Sequence, residues 1–185
     1  MGEQHKKHSR REHLNDFHLN VAGEYVYDGA LYACQNDDAK QRRSKRAVWG
    51  MAAILTVAVA AGGCIPAPGM QNCFYVLLPY LGEFLGAASV IWALAKLGMD
   101  WGTVREYNYK KSVAVLPVRT AVTAVFSGLG IVCELIFFFV NDHAGQTFFA
   151  LLYVLLKLTA LLSALILRAE IMQAEWDKLP KKDNS

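Results

Sequence analysis

The sequence predicts an all-α integral membrane protein whose four transmembrane helices form two similar helical hairpins, with both termini cytoplasmic. Three observations carry this reading. Apolar residues gather in four long blocks, basic residues avoid two of the connections between blocks, and the second half of the chain echoes the first.

The chain has 185 residues, 54% of them hydrophobic. The blocks are Ala47–Cys64, Phe74–Leu97, Pro117–Val140 and Thr147–Leu167. Each approaches or exceeds the roughly 20 residues that cross ~30 Å of hydrocarbon at ~1.5 Å per residue. Residues 1–46 then form a basic N-terminal region, 47–168 the membrane domain and 169–185 a tail, which leaves no room for a separate catalytic domain.

Lys and Arg set the orientation. Of 19, nine precede the first span, five lie in or beside the middle loop and four follow the last span. The short connections Ile65–Cys73 and Asn141–Gln146 hold none, which places them outside and the remaining segments inside. The net charge of +3 therefore points to an anionic membrane surface rather than to nucleic acid. The leading 46 residues are too polar for a cleaved signal peptide, so the first span is read as an uncleaved anchor in the inner membrane.

Ahead of that span, a helix is compatible with His13–Leu19. The alternation of Tyr25 to Tyr32 around Asp28-Gly29 favours a type I′ hairpin. Gln35–Lys45 is a charged connector or a downward extension of the first helix. Trp101, Tyr107, Tyr109, Lys110 and Lys111 in the middle loop read as an interfacial belt. So does a tail helix running on through Ile171, Met172, Trp176 and Leu179.

Laying Phe74-Tyr75-Val76-Leu77-Leu78 over Phe148-Phe149-Ala150-Leu151-Leu152 aligns Leu81 with Leu155 and Ser89 with Ser163 without a gap. Glu24-Tyr25-Val26-Tyr27 has an echo in Glu106-Tyr107-Asn108-Tyr109. Both halves run in-to-out-to-in, the signature of a parallel internal duplication. Composition alone also makes apolar helices resemble one another.

Three charges sit inside the spans: Glu83, Glu134 and Lys157. A charge at the bilayer centre costs at least ~2.5–3.5 kcal/mol on insertion scales, so each is a candidate functional residue. The alignment sets Glu83 on Lys157, both roughly 13–14 Å from the outer end of their helices, where an ion pair across a pseudo-twofold axis is the natural arrangement. Glu134 lies nearer the outside, roughly 9 Å deep. Ala150, Tyr153, Lys157, Ala160 and Ala164 share one face of the fourth span. Thr123, Ser127, Gly130 and Glu134 form a small, polar stripe on the third. Gly82 and Gly86 bracket Glu83 in a spacing that allows close helix approach. Pro79 frees the carbonyl of Tyr75 and is expected to kink the second span.

Cys64 and Cys73 flank the first outer connection and predict a disulfide on the oxidising side. Four-span thiol oxidoreductases carry a Cys-x-x-Cys and a second cysteine pair, neither of which is present. His5, His8, His13 and His18 lack the spacing and accompanying ligands of a metal site. His143 is an isolated residue of the second outer connection. No catalytic residue, metal ligand or cofactor motif emerges.

Two function classes lead, with a membrane thiol oxidoreductase a distant third. One is a non-enzymatic subunit or accessory component of a membrane transport or envelope complex, with a membrane-protein partner or a homo-oligomer, and the Glu83–Lys157 pair as an assembly lock. The other is a small self-associating transporter or channel in which Glu83, Glu134 and Lys157 carry protons or ions.

Overall fold

The computed structural model describes residues 17–19, 25–27, 29–98, 101–141 and 146–179. In chain order these form β1 (Phe17–Leu19), β2 (Tyr25–Tyr27), β3 (Leu31–Cys34), α1 (Asp38–Cys64), α2 (Pro68–Asn72) and α3 (Phe74–Leu97). They continue as β4 (Thr103–Arg105), α4 (Glu106–Lys111), α5 (Leu116–Val140), α6 (Thr147–Met172) and β5 (Trp176–Lys178). His5, His8, His13 and His143 lie outside the described residues.

Among the described residues four helices, α1, α3, α5 and α6, are long and apolar enough to cross a membrane. A 24-residue helix such as α3 is ~36 Å long, which matches a hydrocarbon layer. The helices reach past the apolar blocks at their polar ends. α1 starts nine residues before Ala47, and α6 continues five residues past Leu167. The charged connector before the first span is thus helical from Asp38 onward.

Consecutive long helices are neighbours around a ring, with α3, α5, α6 and α1 packed closely in that order and α1 meeting α3 only sparsely. α3 and α6 therefore stand diagonally opposite. Large side chains such as Phe84, Leu85, Trp92, Leu129, Leu155 and Leu162 point outward, where a bilayer would solvate them. Each helix turns a narrower and smaller face inward, including Ala58, Ala87, Ala124, Ala160 and Ala164.

The polar ends are not all helical, which corrects the all-α expectation. β3 is the centre of a three-stranded antiparallel sheet, with β4 on one edge and β5 on the other. Extended segments between helices carry unpaired N–H and C=O groups, and pairing them in a ladder satisfies those groups. Beside the sheet, the rings of Tyr32 and Tyr109 stack with centroids 4.1 Å apart, and Trp176 lies 6.0 Å from Tyr109 and 6.3 Å from Trp101. We call this the sheet end of the bundle; the α1–α3 and α5–α6 connections make the hairpin end.

Several local expectations give way here. Leu31–Cys34 does not fold back on Tyr25–Tyr27, because both of its edges are taken by β4 and β5. β2 instead pairs antiparallel with β1, so Phe17–Leu19 is a strand and not the end of a helix. Trp101 is buried, and Trp176 belongs to a strand after α6 has ended, so the aromatic residues line a core rather than a lipid belt. The two Glu-Tyr-x-Tyr segments also differ, since Tyr25–Tyr27 is extended whereas Tyr107–Tyr109 is helical. That echo is one of composition.

The predicted Cys64–Cys73 disulfide is absent. Cys64 is a free, exposed thiol and Cys73 a free, half-buried one. The connection is closed by hydrogen bonds instead. Cys73 N–H donates to the Gly69 carbonyl at 2.9 Å, and Asn72 Nδ2 to the Pro68 carbonyl at 2.8 Å, forming the short helix α2.

Candidate functional site: a charged core inside the bundle

Glu83 sits on the tenth residue of α3, about 13–14 Å from its start, and Lys157 at nearly the same depth on α6. Both are buried, at 0% and 2% exposure. Across the diagonal of the ring Lys157 Nζ donates to Glu83 Oε2 in an ion pair. Two charges removed from water lose several kcal/mol each unless geometry and further hydrogen bonds compensate.

The compensation comes from all sides. Ser127 Oγ on α5 lies 2.6 Å from Glu83 Oε1 and 3.1 Å from the Thr123 carbonyl. Its single proton serves the shorter, charge-assisted bond to the carboxylate. The ammonium of Lys157 lies over the Tyr80 ring, 4.6 Å from the centroid, and the Tyr153 ring at 5.0 Å. The faces of those rings attract a cation that has been stripped of water. Tyr80 Oη donates in turn to the Val59 carbonyl on α1 at 3.5 Å, so all four long helices touch the pair or its first neighbours.

Gly82 and Gly86 explain how α3 and α5 come close enough. A Cβ on Gly86 would lie 2.6 Å from Thr123 Oγ1 and 3.3 Å from Thr123 Cα; one on Gly82 would lie 2.6 Å from the Phe126 ring. Both glycines therefore face α5. Pro79 is buried one turn before Glu83, inside an otherwise continuous helix.

Glu134 stands apart from the pair, nearer the hairpin end of α5, and is 1% exposed. The backbone N–H of Gly69 on α2 donates to its Oε1 at 3.3 Å. A Cβ on Gly69 would collide with that carboxylate, so the glycine seats α2 over it. Tyr153 occupies the interior on the next helix, with its ring at 0% exposure and its hydroxyl without a hydrogen-bond partner.

The buried stripe foreseen on the third span is present, with Thr123, Ser127, Gly130 and Glu134 all inside the bundle. So is the Ala150, Tyr153, Lys157, Ala160 and Ala164 face of α6. Toward the sheet end the interior becomes mainly apolar, with Val48, Ala52, Val90, Leu94, Leu116 and Leu167 packed together, and the buried hydroxyls of Thr120 and Ser163 bond their own helix backbones. Two parts of the site had weaker signals. Tyr80 lies three residues before Glu83, on the same helix face, and Gly69 follows Pro68 where a backbone must approach closely. The Cys64–Cys73 pair is not drawn into the site as a bridge.

Comparison with protein-family models, curated proteins and solved structures finds no match.

Proposed function

We propose that this chain is a non-enzymatic polytopic membrane protein, a subunit or accessory component of a membrane transport or envelope complex. The observation that carries the reading is the fully partnered Glu83–Lys157 pair above a mainly apolar interior whose few hydroxyls are bonded to helix backbone. A group that carries ions or protons must exchange partners with water from both sides. This pair instead has a hydrogen-bonding partner on α5 and aromatic partners on α3 and α6, and toward the sheet end it meets aliphatic side chains and the hydroxyls of Thr120, Thr123 and Ser163, each bonded to its own helix backbone. That is the arrangement of a lock that sets which helices face one another.

Orientation, duplication and location belong to the same proposal. The distribution of Lys and Arg favours a cytoplasmic sheet end and an inner-membrane location. A parallel duplication is supported along the helices. With an offset of 74 residues, the buried positions Val76, Pro79, Glu83, Gly86, Val90, Ala93 and Leu97 fall on the buried positions Ala150, Tyr153, Lys157, Ala160, Ala164, Leu167 and Ile171.

The test is purification of the tagged chain in a mild detergent, with the mass of the complex measured. A second chain, or a fixed number of copies, at constant stoichiometry is expected. A monodisperse single copy that drives a pH-dependent flux in proteoliposomes, lost in Glu83→Gln without loss of folding, would overturn the proposal in favour of a transporter.

A further inference from the structure

Arginines on α5 and α6 are spent on the protein itself. Arg119 Nη1 donates to the Ser89 carbonyl at 2.6 Å and Arg168 Nη1 to the Pro117 carbonyl at 3.1 Å. Arg42, Arg43 and Arg46 on α1 are different. They crowd into five consecutive residues, all three are exposed, and among the described residues none makes an ion pair or side-chain hydrogen bond. Like charges at this spacing on a helix repel one another.

These three guanidiniums line one open cleft of about 560 Å³ together with Asp37, Asp38 and Ala39, so three cationic side chains face two acidic ones. Arg43 also borders a second cleft of about 290 Å³, which includes Lys40. Directly after Arg46 the apolar block begins at Ala47, and Trp49 is half-buried one turn on. The cleft therefore lies at the level where lipid headgroups meet hydrocarbon. The backbone beneath it is fixed, because Ser44 Oγ, buried against α6, bonds Glu170 Oε2 at 3.0 Å and Gln41 Nε2 bonds the Trp101 carbonyl at 2.7 Å.

A planar guanidinium presents paired N–H donors that match two oxygens of a phosphate, and three such forks around one concavity fit that anion better than a solvated charge run does. We propose that the Arg42–Arg43–Arg46 cleft is a binding site for the phosphate of an anionic phospholipid headgroup. The acyl chains of that lipid lie along the outward face of α1. The site is separate from the charged core and does not depend on the subunit reading.

The test uses the full chain in mixed micelles, with bound lipid counted by native mass spectrometry. Phosphatidylglycerol should be retained at least about tenfold more strongly than phosphatidylcholine, as expected for several basic side chains at a membrane surface. The triple variant Arg42→Gln, Arg43→Gln, Arg46→Gln should bring the two lipids within about threefold of each other while keeping its thermal midpoint in zwitterionic detergent. A control, Lys110→Gln with Lys111→Gln, should keep the preference. Equal retention of the two lipids by the parent chain would overturn the proposal, as would a preference that survives in the triple variant. Loss of the preference in the lysine control would also overturn it. If millimolar inorganic phosphate displaces the lipid completely, the source is a free phosphate and the lipid assignment falls.

Discussion

Lys157 reaches Glu83 across the diagonal of the bundle, joining α6 and α3, two helices that are not packed side by side. Helices that pack along their length are held by many small contacts. This pair is joined at mid-depth by the ion pair and by the Tyr80 ring against the same ammonium, so replacing either charged residue acts on the arrangement of the whole ring.

Glu83→Gln would leave the Lys157 ammonium buried without its counter-charge. Removing one member of a buried pair costs about 3–5 kcal/mol, and a large fall in the thermal midpoint in detergent is expected. Exchanging the two, Glu83→Lys with Lys157→Glu, should recover most of the loss. Equal damage in the single and exchanged variants would show that the surroundings, and not the pairing, set the requirement.

The glycines of α3 and α5 should divide by what lies opposite them. Gly86→Ala drives a methyl group into Thr123, including its backbone, and should cost about 1–3 kcal/mol through overpacking. Gly128→Ala meets nothing within 4 Å and should be neutral or stabilising by up to about 1 kcal/mol, because alanine is the better helix former. Differential scanning of the two variants checks the contrast directly.

Both thiols at the hairpin end should react without prior reduction. Cys64, being exposed, should label faster than Cys73 with a polar maleimide. Gly69→Ala should accelerate Cys73, since it pushes α2 away from Glu134. Labelling only after reductant would restore the disulfide.

Two tryptophans test which surface is core. Trp101 is 5% exposed beneath the sheet and Trp92 is 63% exposed on the outside of α3. Trp101→Ala should destabilise the chain by about 3–5 kcal/mol, whereas Trp92→Ala should change the midpoint little. Chemical unfolding followed through the remaining tryptophans reads both.

The four spans were legible because membrane helices are written as uninterrupted apolar length, and the buried charges stood out against that background. Matching Glu83 with Lys157 needed only the internal alignment. The sheet was hidden for a physical reason. β4 and β5 are three residues each, too short to show alternation, and their partner β3 lies about 70 and 145 residues away. The Asp28-Gly29 step carries a local turn signal, and local signals cannot report that both edges of Leu31–Cys34 are claimed from a distance. The disulfide failed similarly, since sequence spacing does not reveal that α2 closes the connection by its own hydrogen bonds and seats itself on Glu134.

The three-stranded sheet has a consequence for the order of assembly. Its central strand emerges first in synthesis, ahead of every long helix, and β5 emerges only after α6. Until then β3 has an open edge, which β5 alone closes when Gln35 N–H meets the Glu175 carbonyl and Leu179 N–H meets that of Leu31. Closing the ladder thus records that the final helix has been threaded, and a chain halted before α6 presents that edge to whatever quality-control machinery recognises unpaired strands.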